Sequence, residues 1–114
     1  MKTRNVLVMF RLFQQVYDFR GIIFTSNNRT IADCKKYGIL TSNLAERNLY
    51  GLPYIGSMYT VAHSMVNSSY FGYINADILV SERIFDVLSF IESKRASIFK
   101  GPFVFTGKCT DFVD

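Results

Sequence analysis

The sequence predicts an α/β domain: a mostly parallel sheet with helices on both faces. Three observations carry that expectation. Helical and strand periodicities alternate along the chain, the strand segments are short continuous apolar runs, and the helical segments between them are long enough to serve as crossovers. Parallel strands joined by helices demand right-handed crossovers and bury the sheet on both sides.

Val6, Met9, Phe10, Phe13, Val16 and Tyr17 fall on one stripe of a helix, with a strand over 6–10 as the alternative reading. Gly21-Ile22-Ile23-Phe24-Thr25 is an apolar run ending in Ser26-Asn27-Asn28, the pattern of a strand buried on both faces. Thr30 followed by Asp33 resembles a capping box, which starts a short helix at Thr30 that Gly38 closes as the residue after its C-cap. A second strand follows over 38–41, then a polar, Asn-rich loop through Asn43, Arg47 and Asn48 to Gly51. Pro53 stands where a helix would begin, with Ile55, Met58, Ala62 and Met65 on one face. Tyr70-Phe71-Gly72-Tyr73-Ile74 reads as a third strand running into Asn75-Ala76-Asp77. Ser81 caps a last helix with Ile84, Phe85, Leu88 and Ile91 on its stripe and Lys94 and Arg95 at its end. Gly101-Pro102 breaks the chain before a fourth strand at 103–106.

The 114 residues (13.1 kDa) suit a single domain over 1–114, and 49% hydrophobic against 19% charged residues excludes a disordered tail. Thirteen basic against nine acidic side chains leave +4, which favours anionic ligands. The charges are scattered, so no nucleic-acid partner is expected. No apolar run reaches the ~18 residues of a membrane span, and Arg11 cuts short the signal-like start. Compartment stays open. Cys34 and Cys109 lack metal-ligand spacing, so two buried free thiols are expected, with one disulfide as the alternative. Asn28-Arg29-Thr30 and Asn67-Ser68-Ser69 are sequons that matter only in a secreted chain. An order that opens on a helix and stops after a strand predicts an incomplete domain, a piece of a larger one. Its open sheet edge would invite self-association, and it should transfer nothing by itself.

In an open α/β sheet, ligands bind beyond the carboxyl ends of the strands, here the loops at Ser26–Asn28, Thr41–Asn43 and Asn75–Asp77. Asp77 follows an apolar strand, where an unpaired buried carboxylate is costly. Three roles are open to it: bonding the next turn, facing a divalent cation that carries a phosphorylated ligand, or acid–base work. His63, one residue off its helix stripe, reads as structural. Gly-x-Gly-x-x-Gly, Gly-Lys-Ser/Thr and Gly-x-Ser-x-Gly are all missing, which counts against dinucleotide, P-loop and hydrolase-elbow chemistry.

Gly21-Ile-Ile-Phe-Thr, Cys34-Lys-Lys-Tyr-Gly, Asn48-Leu-Tyr-Gly-Leu-Pro53 and Tyr73-Ile-Asn-Ala-Asp-Ile-Leu79, in that order, resemble the nucleotide-diphospho-sugar transferases of the GT-A fold, over roughly residues 21–110. The resemblance implies a GT-A, Rossmann-like fold and a glycosyltransferase that moves a sugar from a nucleotide-diphosphate donor to an acceptor the sequence does not specify. In such enzymes an Asp-x-Asp signature presents a carboxylate to a manganese or magnesium ion that grips the diphosphate. Asp77 matches the second acidic position, while Asn75 occupies the first and brings an amide without charge. The resemblance further implies that Arg47 and Asn48 approach the nucleotide, Arg47 at the diphosphate, and that Thr25 and Asn27 lie near the base or ribose. A solvated loop arginine with a turn-forming asparagine, and an Asx turn with a helix cap, are the plain alternatives at those pairs. A non-catalytic relative, or a truncated product, that keeps the sheet as an interaction module is the competing function.

Overall fold

The computed structural model of the chain describes residues 2–75 and 78–94, with side chains from Asn5 onward. Two compact units divide it, Met1–Leu79 and Val80–Asp114. The first holds α1 (Lys2–Val16), β1 (Ile22–Phe24), α2 (Asn28–Lys36), β2 (Leu40–Ser42) and α3 (Ile55–Met65); the second holds α4 (Arg83–Lys94).

The stripe of α1 is the main apolar surface of the first unit. Val6, Leu7, Met9, Phe10 and Phe13 are buried, whereas Val16, at the helix end, is 70% exposed. Leu7 takes the place the periodicity gave to Val16, because Val6, Leu7, Phe10 and Phe13 lie within two turns on one face. Past α1 the chain doubles back. Phe19 meets the edges of Phe10 and Phe13 at ring-centroid distances of 5.3 and 5.5 Å, and this turn delivers Gly21 against the Phe10 ring. A Cβ at position 21 would collide with that ring, so the close approach requires glycine. One side chain then ties α1 to both strands. Gln14 accepts the Gly21 N–H through Oε1 at 3.0 Å and donates through Nε2 to the Gly38 carbonyl at 3.1 Å.

Strands β1 and β2 run parallel, with Ile22 opposite Leu40, Ile23 opposite Thr41 and Phe24 opposite Ser42. Between them lies α2, whose two ends the local sequence fixes. Its N-cap is Asn27, not Thr30: Asn27 Oδ1 accepts the Thr30 N–H at 3.0 Å, and the helix starts at Asn28. An Asn three residues earlier outcompetes the Thr30–Asp33 pattern because its short amide reaches the first-turn donors from extended backbone. At the other end Gly38 adopts φ +71°, as expected of the residue after the C-cap. The Gly38 N–H donates to Lys35 and the Ile39 N–H to Cys34, a Schellman closure that seats Ile39 against the helix end. Cys34 is fully buried there and is a free thiol, as expected; Cys109 and the strand expected at 103–106 lie outside the described residues.

The expectation of a mostly parallel, GT-A or Rossmann-like sheet covered on both faces is not met. Four helices and a single two-stranded parallel sheet make up the described residues. Residues of β1 and β2 are only half-buried, because no further strand flanks them among the described residues. Residues 70–74, expected to be a strand, have no regular structure. An aromatic run satisfies a buried strand or an irregular segment held by ring contacts equally well. Here the second applies: the Phe71 ring stacks on His63 of α3 at 3.8 Å, and the Tyr73 hydroxyl turns to Asn75. On α3, Met58 and Ala62 of the expected stripe are buried and Met65 is half-buried, but Ile55 is exposed because the helix starts there, after Tyr54 and not at Pro53. In α4, Ser81 Oγ accepts the Arg83 N–H, and Ile91 is the buried residue of the expected stripe.

Two outcomes follow from this packing. Replacing Gln14 with Ala strips a donor from one strand entrance and an acceptor from the other, and chemical denaturation should show a loss of about 1–2 kcal/mol. Cys34→Ser should cost about 1–2 kcal/mol through the buried hydroxyl. Burial first, and the neighbouring Asp33 carboxylate second, push the Cys34 thiol above its ordinary value of 9.0. The folded state therefore holds the proton more tightly than the unfolded chain does. Stability from this site should be complete below that value and decline as pH rises from it towards the folded one. Denaturation of wild type and Cys34→Ala on both sides of the window should show a steeper alkaline decline in wild type than in the variant.

Candidate functional site

Because β1 and β2 are parallel and joined by α2, their carboxyl ends lie side by side. The Thr25 N–H, one residue past β1, still bonds the Ser42 carbonyl at 2.9 Å, so both loops leave the sheet from one edge. Thr25 and Asn27 are thus brought together at the entry to α2. Thr25 Oγ1 accepts the Asn27 N–H at 3.1 Å, and Asn27 Oδ1 accepts both the backbone N–H and, at 3.3 Å, the hydroxyl of Thr30. These two side chains shape the first turn of the helix. Its leading amides, at Asn28 and Arg29, precede the first intrahelical donor, the Ile31 N–H that bonds the Asn27 carbonyl, and point outward from the helix end.

Sequence reasoning passed over Arg29. It stands in the first turn of α2, exposed, and makes no hydrogen bond or ion pair among the described residues. The first turn carries no acidic residue, so the helix end keeps its partial positive charge next to a full one. The signal was available as a basic residue two places after an N-cap asparagine.

Arg47 and Asn48 stand on another element, a hairpin spanning 46–54, and are used within it. Arg47 pairs with Pro53 as an antiparallel bridge, and its Nη1 donates to the Gly51 carbonyl at 2.8 Å. Asn48 Oδ1 accepts the N–H groups of Tyr50 and Leu52 at 2.9 and 3.1 Å, while its own N–H donates to Leu52. The Gly51 N–H closes the turn on the Asn48 carbonyl, with Gly51 at φ +78° and no other residue of the loop at positive φ. This is a three-residue hairpin loop, a type I turn followed by a left-handed glycine. Its base is held at both sides: Ser57 Oγ of α3 accepts the Glu46 N–H at 2.7 Å, and the Tyr54 N–H donates to the Glu46 carbonyl. The turn-forming asparagine is therefore what Asn48 is in this structure, and the guanidinium of Arg47 is engaged.

Asn75 is exposed, and its Oδ1 accepts the Tyr73 hydroxyl at 2.8 Å. Asp77 lies outside the described residues. A hard divalent cation takes about six oxygen ligands. Among the described residues no group of three His, Cys, Asp or Glu side chains converges. Positive charge for an anion comes from the α2 end and Arg29.

No family model matches the chain, and no curated protein or solved structure matches it.

The hairpin account makes Asn48 the residue on which the tip depends. Asn48→Ala should speed amide hydrogen exchange at Tyr50 and Leu52 and cost about 1 kcal/mol, while Asn48→Asp, which keeps the acceptor oxygen, should protect both amides.

Proposed function

We propose that the chain binds the diphosphate of a nucleotide sugar at the carboxyl edge of its β1–α2–β2 unit and serves as the donor-binding part of a glycosyltransferase. The observation that carries this reading is the α2 N-terminus: open leading amides, an exposed Arg29 and no acidic side chain, at the edge where parallel strands end. The short motifs over residues 21–110 that resemble nucleotide-diphospho-sugar transferases suggest the sugar nucleotide, and on that resemblance Thr25 and Asn27 would face the base or ribose. As the donor's anomeric carbon bonds the acceptor oxygen and its bond to the diphosphate breaks, negative charge grows on the leaving phosphate. Helix amides and a guanidinium are suited to hold that charge.

The test is titration of the whole chain with nucleoside diphosphates, nucleoside monophosphates and inorganic diphosphate, with and without manganese. Diphosphates should bind and raise the melting temperature, monophosphates much less. Arg29→Gln should weaken diphosphate binding about tenfold, about 1.4 kcal/mol. Asp77→Asn should lower affinity by a similar factor only where manganese is present. Failure of every nucleoside diphosphate to bind at millimolar concentration overturns the reading.

The second reading, a non-catalytic binding module, is favoured by the internally bonded hairpin, whose Arg47 and Asn48 side chains are engaged in its own turn and whose apolar side chains face outward.

A further inference from the structure

We infer that the hairpin at 46–54 is a peripheral membrane anchor that inserts its tip into an anionic bilayer surface. Its strongest support is what the tip exposes. Leu49 is 99% exposed, Tyr50 86%, Leu52 62% and Tyr54 54%, on a loop whose backbone is fixed by the Asn48, Arg47 and Gly51 hydrogen bonds. Apolar side chains held out on a rigid turn lose little conformational freedom on insertion, which favours binding. Two leucines suit the acyl boundary, and two tyrosines suit the headgroup level, where an apolar ring and a hydroxyl are both satisfied.

The size of the tip selects the occupant. Leu49 and Tyr50, the residues of the tip itself, cover on the order of 300 Å², short of the ~800 Å² per partner that a specific protein–protein interface buries. A small protruding tip is ample for an interfacial anchor, which enters only ~5–10 Å and adds electrostatic attraction to apolar burial. Charge supplies that attraction. The unit Met1–Leu79 carries eight basic and four acidic side chains, whereas Val80–Asp114 carries five of each, so the whole excess of +4 belongs to the unit that bears the hairpin. The inference stands on the hairpin and the charge distribution, independently of the nucleotide reading.

The experiment is co-sedimentation of the whole chain with vesicles of phosphatidylcholine alone and of phosphatidylcholine with phosphatidylserine, at low and high salt. The expected result is partition into the anionic vesicles, weakened by salt. The double substitution Leu49→Ser, Tyr50→Ser should reduce it at least tenfold without altering the far-ultraviolet circular dichroism, since both side chains face solvent in the free protein. The chain contains no tryptophan, so Leu49→Trp supplies a single reporter whose emission should shift to the blue on anionic vesicles only. Absence of partition into anionic vesicles overturns the inference. So does partition that the double substitution leaves unchanged, or a dimer in solution that the same substitution disperses, because a second copy would then be what covers the tip.

Discussion

Gln14 and Gly21 together set the geometry of the first unit. An amide side chain from the last turn of α1 offers its oxygen to the amide that opens β1 and its nitrogen to the carbonyl that leads into β2. That pair of bonds reaches both strand entrances only because α1 lies close to the sheet. The closeness in turn depends on Gly21, which lets Phe10 pack against bare backbone. Phe19 closes over the same corner. Without this contact the amphipathic helix would have a stripe to bury and nothing to fix where β1 and β2 begin.

With the strand entrances fixed, the other ends follow. A three-residue parallel ladder is short, so the direction of the chain beyond it is held by local caps: Asn27 at the start of α2 and Gly38 at its close. Polar side chains that a sequence reader assigns to a ligand are, at such positions, first claimed by backbone groups that have no other partner. Thr25 and Asn27 illustrate this. Their acceptor atoms meet helix N–H groups, and the groups left over for a ligand are the amides of Asn28 and Arg29 with the Arg29 side chain.

The hairpin shows the same economy with a different result. Arg47 and Asn48 satisfy the carbonyl and amides of their own turn, so their polar side chains are turned inward, and the residues that project at the tip are Leu49 and Tyr50. A positive φ at Gly51 closes the loop in three residues, and the bond from Glu46 to Ser57 anchors it to α3. Rigidity is thus spent on holding apolar side chains in water, which is unfavourable for the isolated chain and makes sense of a surface meant to be covered.

Local pattern alone was enough for the helices, the first two strands and the left-handed Gly38, since a stripe repeating every third or fourth residue, a short β-branched run and a glycine after a helix each report on their own neighbours. Buried Cys34 and the α4 stripe were legible for the same reason. What tertiary structure decided was everything that needs a partner distant in sequence. Residues 70–74 had the composition of a strand, but a strand exists only if a neighbouring ladder receives it, and here Phe71 turned to His63 instead. The cap of α2 passed from Thr30 to Asn27, Arg47 was drawn into its own hairpin, and the tie made by Gln14 across twenty-four residues left no trace in any local pattern. Hydrogen-bond donors and acceptors are claimed by whichever partner the fold brings nearest, and that nearness is a property of packing, not of spacing along the chain.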